Sequence, residues 1–342
     1  RFRERESRRA PHIKYNDIIS LENLLASFRE FLKGKRKRKD IPYFSIKFMD
    51  NILKLGKELA NKKYRHGGYC AFKINDPKPS DIHKANVKDR IVHHAIYRIL
   101  YPYFDGKFIY DSYSCRIDKG THRAMNRFRE VSRKVSKNNT KTVLVLKCDI
   151  KKFFARINHK ILKNILKRHL KDENIMWLLE NVINSFHTGN DKDIGLPLGN
   201  VTSQLFINIY MNELDQFIKR KLKIRYFIRY VDDFVILHTD RLYLINLIPK
   251  IAGFLEKEFR LSLHPDKVYI KALSSGIDFL GWTHFPHHRV LRTATKRRVF
   301  RKLEQRQAKE ARASYMGLLK HGNAYKLIKQ LKENGKARIR NS

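Results

Sequence analysis

The stretch Tyr230-Val231-Asp232-Asp233 lies between two short apolar runs, IRYFIR at 224–229 and FVILH at 234–238. Two such runs separated by a few residues predict a β-hairpin with adjacent carboxylates at its tip. Adjacent carboxylates repel each other, and a bound cation relieves that repulsion. An Asp-rich surface turn explains this segment equally well, so the rest of the chain has to decide between the two interpretations.

The composition indicates a polyanionic partner. Among 342 residues, 74 Lys and Arg stand against 33 Asp and Glu, a formal net charge of +41. Such an excess opposes compaction unless a polyanion neutralises it, and nucleic acid is the expected polyanion. An anionic membrane surface is the weaker alternative. No apolar run reaches the roughly 18 residues of a membrane span, and the basic start lacks a secretory apolar core, so we expect a cytoplasmic protein without a membrane partner.

The cysteines and the order of elements indicate the compartment and the fold class. Cys70, Cys115 and Cys148 form no CxxC pair, which argues against a disulfide framework or a zinc ribbon and fits a reducing compartment. Apolar strand-like runs and helical periodicities alternate irregularly along the chain. This pattern favours an α+β fold over a doubly wound sheet.

A third acid strengthens the metal interpretation of the hairpin. Asp149 ends the apolar run LVLKCD at 144–149, where a helix N-cap is the ordinary alternative. Together with Asp232 and Asp233 it supplies the oxygen ligands for two Mg²⁺ ions, one activating an attacking 3′-hydroxyl and one holding a triphosphate. We expect Asp149 and Asp232 to bridge the ions, Asp233 to be secondary, and the Ile150 carbonyl to add a backbone ligand.

Five segments in this order resemble the motifs of reverse transcriptases in the group II intron-like superfamily. They are motif A (Asp149–Phe154), motif B (GLPLGNVTSQ at 195–204), the Tyr-x-Asp-Asp box (Tyr230–Asp233), motif D (His264–Lys267) and the primer grip (Phe279, Leu280, Gly281 and Trp282). The resemblance runs from about residue 65 to 325. It implies a right-hand polymerase that binds template RNA, an RNA/DNA primer duplex and dNTPs, with two Mg²⁺ ions as cofactors.

The resemblance also implies domains. These are a basic helical N-terminal extension at 1–60, fingers at 61–140, a palm with an antiparallel sheet at 141–290, a finger insertion within it at 158–194, and a helical thumb at 291–342. The thumb range carries 16 Lys and Arg against three acids, with apolar residues at helical spacing, which predicts a small bundle with a basic face.

The resemblance assigns roles around the incoming nucleotide. Phe153 would act as a steric gate that excludes a 2′-hydroxyl, with core packing as the alternative. Arg116, with Lys73 or Lys78, would clamp the triphosphate, although Ser80 stands near where intron enzymes usually carry an Arg.

Two further sets of residues complete the expected site. Lys267 would protonate or neutralise the leaving pyrophosphate. Leu198, Gly199 and Gln204 of motif B would contact the dNTP.

Motif B narrows the resemblance within the family. In the string GLPLGNVTSQLFINIYMNELDQF at 195–217, Leu198 replaces a Gln and Gln204 replaces a Pro of retroviral and intron enzymes. The string most resembles reverse transcriptases of diversity-generating retroelements. That resemblance implies adenine-mutagenic cDNA synthesis from a template-repeat RNA, which diversifies a target gene in a bacterium or phage with a small basic helical accessory protein as partner. An intron-type or antiphage-defence enzyme, and a non-catalytic RNA-binding scaffold, are the alternatives.

The aromatic and histidine residues near 282–288 leave simpler alternatives open. Trp282 would stack on a base or pack in the core. His284, His287 and His288 lack cysteine partners and regular spacing, so we expect a solvated or phosphate-facing loop in place of a metal site.

Overall fold

The computed structural model describes residues 13–36, 38, 40–74, 79–305 and 309–330. The chain divides into two compact units. The first is drawn from the ranges Arg1–Cys115, Ile150–Lys223 and Ile251–Leu263, and the second from Arg116–Asp149, Ile224–Lys250 and His264–Ser342. The predicted palm range, 141–290, therefore contributes to both units.

The first unit is mainly helical. Its helices are α1 (Tyr15–Ile19), α2 (Leu21–Leu32), α3 (Asp40–Ile46), α4 (Phe48–Ala60), α5 (Val87–Asp105), α7 (His159–His169), α8 (Glu173–Ile183) and α9 (Val201–Gln216). Its strands β1 (Tyr69–Ile74) and β2 (Ser80–Ala85) pair antiparallel, with Tyr69 opposite Ala85. Side chains at helix starts satisfy free backbone donors, as Asn86 does for α5 and Asp172 for α8.

Helix α9 follows motif B and is the most buried helix of the first unit. Twelve of its sixteen residues are buried, on every side of the helix, as expected for a helix enclosed by others. A π-helical turn at Phe217–Lys221 directly follows α9.

The second unit contains two antiparallel sheets. Its elements are α6 (Thr121–Val135), β3 (Leu144–Cys148), β4 (Phe227–Tyr230), β5 (Asp233–His238), β6 (Tyr269–Ala272), β7 (Ile277–Phe279), β8 (Trp282–His284), β9 (Arg289–Leu291), α11 (Thr293–Gln305) and α12 (Lys309–Leu319). The strand order is β4-β5-β3-β6 in one sheet and β7-β8-β9 in the other. Helix α10 (Arg241–Phe259) begins in the second unit and ends in the first.

The second unit has a core in which the C-terminal helices pack against the small sheet. Trp282, Leu291, Val299 and Leu319 are buried together, with Met125 of α6. Gly322 lies so close to the Trp282 ring that a Cβ there would meet ring carbons within 3 Å, so a side chain would displace the indole. Trp282 is therefore a core residue, and the alternative of base stacking by its ring is wrong because the ring is 1 % exposed.

The α+β prediction is confirmed as a mixture of helices with antiparallel sheets. The strands predicted around the aspartates are present as β3, β4 and β5. The ends of the predicted extension and thumb, residues 1–12 and 331–342, lie outside the described residues. No helix in the described ranges is long and apolar enough to cross a membrane.

Candidate active site

The large sheet of the second unit brings the predicted carboxylates to one edge. Strand β3 pairs with β5 so that Cys148 lies opposite Phe234. Asp149 follows Cys148 and Asp233 precedes Phe234, so the two acids lie at the same end of adjacent strands. The burial patterns of β3 and β5 are those of strands covered on both faces.

Asp232 lies in a two-residue hairpin turn between β4 and β5. Tyr230 pairs directly with Asp233, and Val231 and Asp232 form the turn. Val231 has a φ of +59°, which a β-branched residue rarely adopts, whereas such a positive φ at the first turn position suits a tight hairpin. Strained backbone of this kind persists only where neighbouring contacts hold it.

Two side chains of the second unit hold this turn. Arg229 is fully buried, and its Nη1 donates a hydrogen bond of 3.0 Å to the Val231 carbonyl. Thr121, the first residue of α6, places its Oγ1 3.1 Å from the Tyr230 hydroxyl. The turn is thus fixed both from within its own hairpin and from the start of α6.

Two lysines lie against the outer carboxylates. The Lys147 Nζ is 2.5 Å from Asp233 Oδ1, and the Lys267 Nζ is 3.1 Å from Asp149 Oδ1. Motif D reaches Asp149 by its backbone as well, because the His264 N–H donates to the Asp149 carbonyl at 2.8 Å. The predicted contact of Lys267 with pyrophosphate stays a prediction, whereas its contact with Asp149 is observed.

The pKa values of Asp232 and Asp233 are both raised. Burial, and then the charge of Asp149, raises the pKa of Asp232 to about 6. Burial also raises the pKa of Asp233, and the charge of Lys147 opposes that rise. A carboxylate whose pKa is raised by burial and by a neighbouring negative charge favours a bound cation, since a cation offsets both effects.

The donor chemistry fits Mg²⁺, because all three side chains offer only oxygen. In the part of the chain that the structure describes, however, no group of three or more His, Cys, Asp or Glu side chains is arranged to hold a metal ion. Lys147 pairs with one oxygen of Asp233, and Lys267 pairs with one oxygen of Asp149. The assignment of Asp149, Asp232 and Asp233 as metal ligands, with the Ile150 carbonyl, therefore stays a prediction.

The predicted primer grip is a second tight hairpin. Phe279 pairs with Trp282 across a turn in which Leu280 and Gly281 both have positive φ, +53° and +83°. This is the pattern of a type I′ turn. Phe279 and Trp282 are buried, Leu280 is half-buried against the core around Trp282, and Gly281 is exposed.

His284 does not lie in a solvated loop, as the sequence had indicated. It is 3 % exposed on β8, its Nε2 lies 3.2 Å from the Phe279 carbonyl, and its ring centroid is 4.9 Å from that of Phe128. His287 and His288 are exposed as expected. The expectation failed for His284 because strand alternation turns its ring inward against α6.

Motif B lies in the first unit, anchored to β2. The Leu198 carbonyl accepts a hydrogen bond of 3.0 Å from the His83 N–H, and Asn200 Nδ2 donates to the His83 carbonyl at 2.9 Å. Gly199 has a φ of +102°, and a Cβ there would lie 2.8 Å from Ile82 Cγ2, so this position requires glycine. The Leu198 side chain is half-buried, and Gln204 is exposed at the start of α9.

The motif A residues of the first unit are mostly buried. Phe153 is 2 % exposed and packs edge-on against the half-buried Phe154, with ring centroids 5.7 Å apart. Ile150 is 1 % exposed and bridges to Leu263. The steric-gate role of Phe153 stays a prediction, beside the core packing that is observed.

Two of the three residues of the predicted triphosphate clamp lie within the described ranges. Lys73 is exposed on β1, and Arg116 is half-buried at the start of the second unit. Lys78 lies outside the described residues. Their joint role as a clamp stays a prediction.

Three residues of the site were missed from the sequence: Lys147, Arg229 and Thr121. For two of them a signal was available. Lys147 and Arg229 each interrupt an apolar strand, and a charged residue in such a strand has to find a buried partner. Thr121 gave no such signal, because a Thr at a helix start is ordinary.

The chain belongs to the family described as reverse transcriptase (RNA-dependent DNA polymerase), which matches residues 76–284. The matched range contains Asp149, the Tyr230–Asp233 box and the primer-grip residues. The family is one of nucleotidyltransferases that polymerise DNA on an RNA template, so template nucleic acid and dNTPs are its substrates. Enzymes of this family generally use divalent metal ions.

Two relatives show the range of similarity. Protein YkfC of Escherichia coli is 26 % identical over 277 residues, which covers 68 % of this chain and 69 % of that protein. The Putative COX1/OXI3 intron 2 protein of Saccharomyces cerevisiae is 24 % identical over 200 residues. That match covers 40 % of this chain and 23 % of the yeast protein, so the chain spans less than a quarter of this relative.

Proposed function

We propose that the chain is a Mg²⁺-dependent RNA-directed DNA polymerase whose active centre is formed by Asp149, Asp232 and Asp233. The observation that carries the proposal is the placement of these three carboxylates at one edge of the β4-β5-β3-β6 sheet. Bound there, two divalent ions would supply Lewis-acid activation of the primer 3′-hydroxyl and charge neutralisation of the triphosphate. The chain's own contribution is to hold Asp232 in a tight turn that Arg229 and Thr121 fix, and to set Asp149 and Asp233 at the same end of adjacent strands.

Primer extension tests this proposal. The wild type is expected to add dNTPs to a DNA primer on an RNA template when Mg²⁺ is present, and the Asp232→Ala/Asp233→Ala variant is expected to lose that activity. Glu130→Gln is the matched control, since it removes a carboxylate from the exposed face of α6. A wild type that binds RNA but incorporates no dNTP, even with an accessory protein, would favour the non-catalytic scaffold.

We further infer that the enzyme makes error-prone cDNA for a diversity-generating retroelement. Leu198 supports this inference, because an aliphatic side chain cannot donate the hydrogen bond of the Gln found in other reverse transcriptases. The expected substrate is a template-repeat RNA whose adenines are copied with errors, and the expected partner is a small, basic, helical accessory protein. Sequencing of cDNA made from a defined RNA tests this, and errors spread evenly over all four bases would overturn it.

An intron-type reverse transcriptase is the second candidate. The similarity to the yeast intron 2 protein favours it. The two candidates differ in the RNA that they copy and in their fidelity. A search of the neighbouring DNA for a near-duplicate repeat that differs at adenines separates them, since only the retroelement needs such a repeat. An antiphage-defence enzyme would lack both the repeat and an intron RNA.

A further inference from the structure

Lys147 is a lysine in the centre of a buried sheet. It lies on β3, which is flanked by β5 and β6, opposite Val235 on one side and Tyr269 on the other. The residue is only 8 % exposed. Lysines are almost never this buried unless they are paired, because removing an ammonium from water costs several kcal/mol.

The Lys147 ammonium joins three elements of the second unit. It forms the 2.5 Å ion pair with Asp233 on β5, and it lies 5.5 Å from the centroid of the Phe279 ring on β7. The side chains of the ion pair are 11 % and 23 % exposed, so solvent screens the pair only weakly. The Phe279 ring also contacts Phe128 of α6 at 5.6 Å between centroids, which fixes the ring in place.

The position of Lys147 on β3 places its charge on the side of the candidate metal ligands. Residues two apart on a strand project from the same face, and Asp149 follows Lys147 by two. Asp233 thus already has a cation at one carboxylate oxygen. A divalent ion at the same oxygen would have to displace that ammonium or share the oxygen with it.

We propose that Lys147 is a positioning residue that keeps Asp233 as an ion-pair partner and couples it to the Phe279 hairpin, leaving Asp149 and Asp232 as the main divalent ligands. This inference rests on the proposed polymerase function for the role of the hairpin in holding the primer. Lys147 does not touch the reacting atoms. It sets where the Asp233 carboxylate lies when the primer end is bound.

A double-variant cycle with Mn²⁺ as the probe tests the proposal without catalysis. Lys147→Met releases the Asp233 carboxylate, so Mn²⁺ binding followed by electron paramagnetic resonance is expected to tighten about tenfold, as it does when a site gains a charged ligand. In an Asp233→Asn background the same change is expected to have no effect. Equal changes in both backgrounds, or no change in either, would overturn the proposal.

Protein stability gives a second measurement that needs neither metal nor substrate. Lys147→Met leaves Asp233 buried without its cation, whereas Lys147→Met/Asp233→Asn removes both charges. The double variant is expected to unfold at higher urea than Lys147→Met alone. Where Lys147→Met fails to fold, the added Asp233→Asn has to restore folding if the ion pair is the role of the lysine. A double variant that also fails to fold would overturn the proposal.

Steady-state kinetics tests the coupling to the hairpin. Lys147→Met is expected to raise the KM for primer–template about tenfold with little change in the KM for dNTP, whereas Lys147→Arg retains most of the activity. Lys271→Met is the matched control, since Lys271 is an exposed lysine on the neighbouring strand β6. An unchanged primer KM would overturn the coupling. An inactive wild type would instead refute the polymerase function. The urea measurement would still test whether Lys147 stabilises the buried Asp233 carboxylate, because it needs no activity.

Discussion

The Thr121 Oγ1 lies 3.1 Å from the hydroxyl of Tyr230, so the first residue of α6 is hydrogen-bonded to the residue that begins the Tyr-x-Asp-Asp turn. The same helix contacts the second hairpin, because the Phe128 ring packs at 5.6 Å from that of Phe279. Thr121 and Phe128 are seven residues apart, which is two helical turns, so they share one face of α6. One helix face therefore supports both the aspartate turn and the predicted primer grip.

Loss of the Thr121 hydroxyl is expected to reduce polymerisation while the fold remains. Thr121→Val keeps the shape of the side chain but removes the hydrogen bond, which contributes about 1 kcal/mol. If that energy positions Tyr230 in the transition state, kcat falls roughly fivefold. Primer extension under single-turnover conditions measures the effect, beside the thermal midpoint of unfolding.

The controls for Thr121 are a conservative variant and a cycle. Thr121→Ser keeps the hydroxyl and is expected to restore the rate. Tyr230→Phe removes the partner hydroxyl, so adding Thr121→Val to it is expected to have little further effect. Additive losses in the double variant would mean that the two hydroxyls act separately.

Arg229 is expected to control the geometry of the strained turn. Arg229→Met keeps an unbranched side chain in the core but removes the donor to the Val231 carbonyl. Loss of a hydrogen bond from a charged donor costs about 2 kcal/mol, and the turn then loses a contact that holds Val231 at positive φ. We expect a lower free energy of unfolding together with a lower kcat.

Arg225→Met is the matched control for Arg229, since Arg225 is an exposed arginine just before β4. It is expected to leave both quantities near those of the wild type. If Arg229→Met lowers stability but leaves kcat unchanged, the arginine stabilises the core and does not position the Tyr-x-Asp-Asp turn for polymerisation.

The stability of the second unit is expected to fall on mild acidification because His284 is buried. Burial lowers the pKa of His284 from 6.5 to about 4. Between these two values the unfolded chain binds a proton that the folded chain does not, so stability decreases as the pH falls through this window. From pH 7 to pH 5 the loss from this one histidine is about 2 kcal/mol.

Urea unfolding at the two pH values measures this loss, with Trp282 fluorescence as the reporter in a Trp177→Phe background. His284→Gln retains an amide donor for the Phe279 carbonyl but cannot titrate. Its free energy of unfolding is therefore expected to fall by about 2 kcal/mol less than that of the wild type between pH 7 and pH 5. His287→Gln, at an exposed position, is expected to keep the dependence of the wild type. Equal pH dependence in all three proteins would exclude His284 as the cause.

The positions of the aspartates were predictable because strands and tight turns follow local rules. Alternating and continuous apolar runs defined β3, β4 and β5. An acid directly beside such a run has to lie at the end of the strand. The observed register, with Cys148 opposite Phe234, brings Asp149 beside Asp233, and this register is a result of the structure.

The partners of the aspartates were not predictable, because they come from distant parts of the chain. Lys147 and Asp233 are 86 residues apart, and Thr121 and Tyr230 are 109 apart. Local pattern indicates that a lysine within a strand needs a counter-charge, but not which acid supplies it. His284 shows the same limit, since its inward direction depends on the pairing of β7 with β8 and on the packing of α6.

Fidelity is expected to change with a single substitution at Leu198, because its backbone is fixed independently of its side chain. The His83 N–H holds the Leu198 carbonyl, and Asn200 holds the His83 carbonyl, so a Gln at 198 keeps the loop in place. A restored amide hydrogen bond to the incoming nucleotide contributes about 1 kcal/mol to correct geometry, which corresponds to a roughly fivefold lower error frequency. We expect the reduction to be greatest at template adenines, measured by sequencing cDNA copied from one RNA by each enzyme.

Leu198→Met, which changes shape without adding a donor, is expected to keep the wild-type error spectrum. If Leu198→Gln and Leu198→Met shift the spectrum alike, the size of the side chain, and not its hydrogen bonding, determines how this enzyme selects nucleotides.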